Sequence, residues 1–203
     1  MEILIFQLVI LLFSAVIHEV SHGIIAYRLG DSTAKLAGRL TLNPIKHLDL
    51  MGSFILPLSL FLVSGGRLIF GWAKPVPFNP YNLKKPKRDS GLIAAAGPLS
   101  NIIIAIVFGL IIKTIKTGIF PAPYSLALFF EIIVLINLSL AVFNAVPIPP
   151  LDGSKILAAI IPESAEKFLN FLEKNSTLLL FAFIIFGFRL IAPIIIFLHN
   201  LII

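Results

Sequence analysis

Residues 3–27 read ILIFQLVILLFSAVIHEVSHGIIAY, an apolar run broken only by Gln7 and by a small polar cluster from His18 to His22. About 20 consecutive apolar residues suffice to cross a bilayer core. The run is too long for a secretory h-region and lacks both a basic n-region and a small-residue cleavage site, so it reads as a retained helix, not a signal peptide. Within it, His18-Glu19-Val20-Ser21-His22 sets two imidazoles at i and i+4, on one helical face, where both can reach one metal ion. Glu19 can approach a metal-activated water as general base. The bland alternative is a pair of buried histidines bonded to neighbouring polar groups. Ionisable side chains inside a span are costly, however, and their default reading is a functional site.

The rest of the chain agrees with a membrane fold. Of its 203 residues, 58% are hydrophobic and 13% charged, and the mean hydropathy is +1.02. Soluble domains run at about 45–50% and about 25%. Disorder and a disulfide scaffold are excluded, the latter because there is no cysteine. Any metal site must therefore use His and carboxylate. The net charge of +6 points to cytoplasmic helix ends and not to nucleic acid. Further apolar runs lie at Leu50–Gly66, with Pro57 at its middle, and at Gly91–Ile112, Tyr124–Val146 and Leu178–Leu198. The expected fold is an all-α polytopic membrane protein, one domain over 1–203, with a catalytic core over about 1–161 and a C-terminal helix over 176–200. It has about four full transmembrane helices and one re-entrant or kinked segment at 50–66. The connectors 28–49 and 67–90 mix β-formers with Gly and Pro, the second being too rich in Pro for a helix. Strand-like pieces at Arg67–Phe70 and Trp72–Val76 suggest either solvated loops or membrane-associated extended edges able to pair with an unwound substrate.

Two His ligands leave a zinc ion short of a third. Six residues after His22, where an extended form of the motif has another His, stands Arg28. The remaining carboxylates of the apolar regions are Glu131 and Asp152. Asp152 follows Pro147, Pro149 and Pro150, which break the helix and free backbone groups, tolerable at membrane depth only inside protein or beside a water cavity. Its position also suits a cap for a short helix over Gly153–Ile161. A ligand role is favoured because the site lacks another donor.

HEVSH in a membrane helix, followed downstream by Asn144-Ala-Val-Pro-Ile-Pro-Pro-Leu-Asp-Gly153, resembles the site-2 protease family of intramembrane zinc metalloproteases. Ala96-Gly97-Pro98-Leu99-Ser100-Asn101 is similar to another motif of that family, and Gly71-Trp-Ala-Lys-Pro-Val-Pro resembles its small prokaryotic members without PDZ or CBS segments. The resemblance implies one Zn2+ per chain bound by His18, His22 and Asp152, with Glu19 as catalytic base and acid. It implies that Asn144 holds the substrate backbone. Asn101 does likewise or braces the helix, interhelical hydrogen bonding being the stronger reading there. Substrates would be locally unwound transmembrane segments of proteins already cut by another protease, cleaved in a cell membrane by regulated intramembrane proteolysis. Two rivals remain: a transporter or ion pathway with broken helices, and a zinc-bound binder of membrane segments that cuts nothing. The lack of an internal repeat and the Glu beside the first His argue against transport.

The motifs also constrain direction. His18 and His22 lie towards the end of the first helix, and Asp152 follows the end of Tyr124–Val146, so both helices should run the same way. Four full crossings would make them antiparallel, so one intervening segment should fail to span, and Leu50–Gly66 is the shortest. That arrangement puts thirteen Lys/Arg on the active-site side and only Lys113 and Lys116 on the other, whereas full spanning divides them nine to six. The first division is the strong positive-inside bias and sets the site nearer the cytoplasm. Counting 1.5 Å per residue puts Glu131 about 10 Å below the outer surface and Arg189 about 20 Å above the inner one, which predicts a structural Glu131–Arg189 pair. Lys84–Arg88 reads as an anchor to anionic lipid head groups, Trp72, Tyr81 and His47 as interfacial residues, and His199 as an ordinary helix end.

Overall fold

A computed structural model of the chain describes residues 2–49 and 74–203, with the single positions 52, 55, 59 and 62 between them. The expected re-entrant segment, the strand-like piece Arg67–Phe70 and Trp72 lie outside the described residues. Helix α1 spans Glu2–Arg28 as one continuous rod. It stops at Gly30, whose φ of +108° only glycine adopts without strain. A short helix α2 (Thr33–Leu36) and a 3-10 turn (Pro44–His47) follow. Beyond the undescribed stretch, 74–79 has no regular secondary structure and leads to a second 3-10 turn (Pro80–Asn82).

The long helix α3 covers Pro86–Lys116, so residues 86–90 are helical and not part of an irregular connector as expected from their proline content. Pro86 stands in the first turn, where a missing N–H costs nothing. After α4 (Tyr124–Asn144) the chain turns through the proline-rich segment into α5 (Asp152–Ile160) and α6 (Glu166–Lys174). Then α7 (Ser176–Ala182), a π-helical turn (Phe183–Gly187) and α8 (Phe188–Ile202) follow. Helices α1, α3 and α4 are long and apolar enough to cross a membrane. The pair α6 and 176–187, bent by 71°, makes a fourth if it is counted as one span. The molecule is a multi-pass membrane protein, and the regular structure of its described residues is all helical.

No strand occurs among the described residues. Pro75, Pro77 and Pro80 remove the N–H groups a ladder needs. The stretch 74–79 instead makes isolated bonds, Lys74 N–H donating to His47 O at 2.8 Å and Val76 N–H to Glu19 Oε2 at 2.8 Å.

Side-chain contacts fix helix directions. Phe6 meets Phe129 edge-on with ring centroids 5.0 Å apart, and Ser14 Oγ accepts from Asn137 Nδ2 at 3.0 Å. Eight residues along α1 match eight along α4, so these two helices run parallel, as the motifs require. Helix α3 runs against α1, because His22 pairs with Ile93 and His18, one turn earlier, with Asn101. The chain therefore leaves α1 and enters α3 at the same end of the bundle. Ala105, Ile112, Val134 and Leu138 form the apolar core between α3 and α4. Gly109 lets α8 approach closely, since a Cβ there would collide with Ile202. Small residues at such crossings are how membrane helices gain packing, lipid being as apolar as their side chains.

The Glu131–Arg189 pair is not formed. Glu131 lies 3.2 Å from His199 Nε2, and Arg189 has no carboxylate within 4.0 Å among the described residues. The depth count took the last span to begin level with the end of α4 at about residue 176. The observed level is set by Phe143 packing on Phe183, ring centroids 5.7 Å apart. Twelve residues outward from each are Glu131 and Ile195, one turn from His199, so Arg189 sits below the carboxylate.

Candidate metal centre

Helix α1 delivers His18 and His22 one turn apart, with ring centroids 4.7 Å apart and planes at 86°. Both are buried. Asp152 reaches them from the first turn of α5: its Oδ2 lies 3.0 Å from His18 Nε2 and 3.2 Å from His22 Nε2. Leu151 and not Asp152 is the N-cap of α5, and no side-chain cap bond is made there, so this carboxylate turns to the histidines. Gly153 permits the arrangement, because a Cβ at that position would strike the carbonyl of Ala145 at the end of α4.

The far side of each ring is pinned. His18 Nδ1 lies 2.6 Å from Asn101 Oδ1, and His22 Nδ1 lies 2.6 Å from Ile93 O. Both partners are acceptors, so both Nδ1 atoms carry hydrogen and each Nε2 of a neutral ring presents a lone pair. Three electron-rich atoms thus converge with no donor between them. A cation completes such a set.

Asn101 is fully buried and wired further back. Its Nδ2 donates to Asn137 Oδ1 at 2.9 Å and towards Ser14 O at 3.4 Å, and Asn137 in turn donates to Ser14 Oγ. This chain ties α1, α3 and α4 together beside the histidines. Glu19 points another way, its Oε2 taking the Val76 N–H. A cavity of about 150 Å³ opens between Glu19, His22, Asp152 and Asn144, and Pro75 and Phe78 of the stretch 74–79 also line it. Asn144 lines this cavity while donating to Leu140 O at 3.0 Å. Asn101 does not line it.

The stretch 74–79 is held from both sides. Lys155 Nζ of α5 lies 5.1 Å above the Phe78 ring. Asp31, fully buried, accepts from Asn79 N–H at 2.8 Å, Asn82 Nδ2 at 2.7 Å and Thr33. Burial pushes the Asp31 carboxyl up, yet the bonds from Thr33, Asn82 and Asn79 prevail and hold it below the ordinary range.

The chain is similar to known proteins. The profile of Peptidase family M50 matches residues 115–188. YwhC of Bacillus subtilis (strain 168), provisionally named a zinc metalloprotease, is 38% identical over 193 residues, which is 93% of this chain and 81% of that protein. The chain belongs to peptidase family M50, the site-2 protease family. MJ0611 of Methanocaldococcus jannaschii is 39% identical over 94 residues, 45% of this chain and 46% of that protein. Rip2 of Mycolicibacterium smegmatis is 32% identical over 145 residues, 70% of this chain and 52% of that protein. Both are likewise provisionally named zinc metalloproteases. No solved structure matches the chain.

As an M50 peptidase the chain is a zinc metalloprotease, and its residues fit that ion. A tetrahedral site with bonds of about 2.0–2.1 Å has ligand–ligand edges of about 3.3 Å, close to the 3.0 and 3.2 Å from Asp152 to the two imidazoles. Ligand atoms of His18, Glu19 and His22 lie within 4.8 Å of one another, so Glu19 is near the set while engaged with Val76. Gly97 of α3 faces the same point, and a Cβ there would lie 2.5 Å from both Nε2 atoms. The space against Gly97 is what the ion needs. Sequence reasoning did not single out Ser14, Gly97, Val76 or Asn137. Gly97 and Val76 had a visible signal, their places in Ala96-Gly-Pro-Leu-Ser-Asn101 and Gly71-Trp-Ala-Lys-Pro-Val-Pro.

Proposed function

We propose that the protein is an intramembrane zinc endopeptidase that hydrolyses locally unwound transmembrane segments, with His18, His22 and Asp152 as the zinc ligands and Glu19 as general base. The observation that carries this reading is the convergence of two Nε2 lone pairs and one carboxylate oxygen, each held from behind, next to a second carboxylate at a cavity. Zinc, when bound, supplies a Lewis acid that polarises the scissile carbonyl and acidifies water.

The chain's own residues supply the rest. Asn101 and the carbonyl of Ile93 fix the tautomer and orientation of the two imidazoles. Glu19 Oε1 or Oε2 takes a proton from the attacking water and passes it to the leaving amide nitrogen. For that transfer the carboxylate exchanges its bond to Val76 N–H for one to water. Asn144, on the cavity wall, offers its side-chain amide to the substrate backbone. The stretch 74–79 lies beside the cavity with three of its four N–H groups held by His47, Glu19 and Asp31, so pairing with an unwound substrate strand would use its carbonyls and the Val76 N–H once Glu19 releases it. A helical substrate hides its carbonyls in its own hydrogen bonds, so unwinding must come first. The substrates of this reading are membrane proteins already cut by another protease. The cations of the connectors and of the segment after Asp152 lie at the active-site end, which by the positive-inside rule is the cytoplasmic end.

The test is zinc content of the detergent-purified wild type, His22→Ala and Asp152→Ala, with cleavage of a single-span substrate on the same samples. About one zinc per chain in the wild type, lost or loosened in both variants together with cleavage, is the expected result. Full zinc in Asp152→Ala would move the third ligand elsewhere. A zinc-free wild type with no metal-restored activity would overturn the reading.

A further inference from the structure

The cations at the foot of α1 and α3 are not used by the metal centre, yet they converge. Arg28, Lys84, Lys85 and Arg88 line a second concavity, of about 370 Å³, whose one acidic wall residue is Asp89. Asp89 is buried and already engaged, its Oδ2 accepting the Lys85 N–H at 2.9 Å as a cap on α3. Among the described residues, none of the four cations has a carboxylate within 4.0 Å. All four are exposed. Like charges gathered in one concavity repel one another, and an anion entering it relieves that repulsion.

The position of the pocket says which anion. Arg28 is the last residue of one span and Pro86 the first of the next, so the pocket lies where the apolar surface ends. Just above it, Ile24 and Leu92 turn exposed apolar side chains outward, at 39% and 44% of full exposure. A ligand with charge at the pocket and hydrocarbon beside those residues is an amphiphile. Basic pockets between membrane helices at the cytoplasmic boundary suit phosphate-bearing lipid headgroups.

We propose that Arg28, Lys84, Lys85 and Arg88 form a binding site for the headgroup of an anionic phospholipid, separate from the metal centre. The experiment is native mass spectrometry of the full zinc-loaded chain released from micelles doped equally with phosphatidylglycerol and phosphatidylcholine. The wild type is expected to retain phosphatidylglycerol selectively. Lys84→Gln/Lys85→Gln/Arg88→Gln should lose that selectivity by about fivefold per cation removed, so about 100-fold in all. Lys113→Gln/Lys116→Gln, which neutralises the opposite end of α3, should change nothing. Should the triple variant fail to fold, judged by zinc content, the singles Lys84→Gln and Arg88→Gln should each lose about fivefold. Equal retention of both lipids by the wild type, or undiminished selectivity in the pocket variants, would overturn the proposal. So would displacement of the lipid by millimolar inorganic phosphate, which would make this a site for a soluble anion.

Discussion

Two places in the bundle bring imidazole against carboxylate at nearly the same distance. At one end His18 and His22 stand 3.0 and 3.2 Å from Asp152. At the other, His199 stands 3.2 Å from Glu131. The difference lies behind the rings. Each histidine of the first group has its Nδ1 held at 2.6 Å by a carbonyl oxygen, so its Nε2 can only accept. His199 has only Asn200 Oδ1, at 3.4 Å, behind it, and its Nε2 is near Glu131 without being aligned for a hydrogen bond. The side chains differ in enclosure too, 7–13% exposed at the metal centre against 18% and 36% at the other pair. Distance alone does not make a ligand set. What distinguishes the metal centre is that its lone pairs are committed to one point by groups that do not touch that point.

The comparison breaks most sharply on Glu19. Glu19→Gln removes a proton acceptor while leaving His18, His22 and Asp152 in place. Cleavage should fall by about 10²–10⁴-fold, the usual share of a general base, with zinc content unchanged. His199→Ala should leave both untouched. Equal loss of activity in the two variants would mean that the outer pair belongs to the mechanism.

A smaller effect sharpens the role of the second layer. Asn101→Ala keeps every proposed ligand but frees the ring of His18. Zinc affinity should drop by about 10–100-fold, as it does when partners behind metal-binding histidines are removed. Metal competition with a chelator of known affinity measures this, and the corresponding change behind His199, Asn200→Ala, should not register. Unchanged affinity in Asn101→Ala would reduce Asn101 to a helix brace.

The sequence made one half of this legible and left the other half opaque, for a physical reason. Metal chemistry restricts residue types and helical geometry restricts their spacing, so His18, Glu19 and His22 declare themselves within five positions. Asp152 was within reach because prolines in a membrane-embedded segment need an explanation. The directions of α1 and α4 followed from bringing these groups together. In the Ser14–Asn101–Asn137 chain only Asn101 gave a signal, through its motif, and it reads there as an interhelical brace; Ser14 and Asn137 gave none, because hydrogen bonds between helices obey no local spacing, and Ser and Asn occur in membrane helices without partners of this kind. The misassigned partner of Glu131 has a related cause. Its depth was counted from an assumed helix end, while the level of the last span is set by Phe183 against Phe143, a contact between residues 40 positions apart. Proline content points to an irregular connector up to residue 90, yet 86–90 are helical, because Pro86 serves as a helix start.

The smallest effect concerns how the metal centre is covered, and it separates the wired end from the outer end by pH. Asp31 holds Asn79, Asn82 and Thr33, and through them the stretch that carries Val76 to Glu19. Its carboxyl is depressed below the ordinary value of 3.8. A depressed acid stabilises the fold wherever it is ionised in both states, so its contribution is complete above about pH 4 and is lost as pH falls through the lower, folded value. Asp31→Asn leaves buried donors poorly paired and should cost about 1–3 kcal/mol at neutral pH, or roughly 2–10 °C in Tm for a chain of this size. The gap between wild type and variant should stay constant from pH 7 to about pH 4 and narrow below it. Thermal unfolding at stepped pH, with Glu131→Gln as the outer-end control, reads the gap directly. A gap that widens on acidification would mean that Asp31 is raised and not depressed, and that the cover is held by something other than this carboxylate.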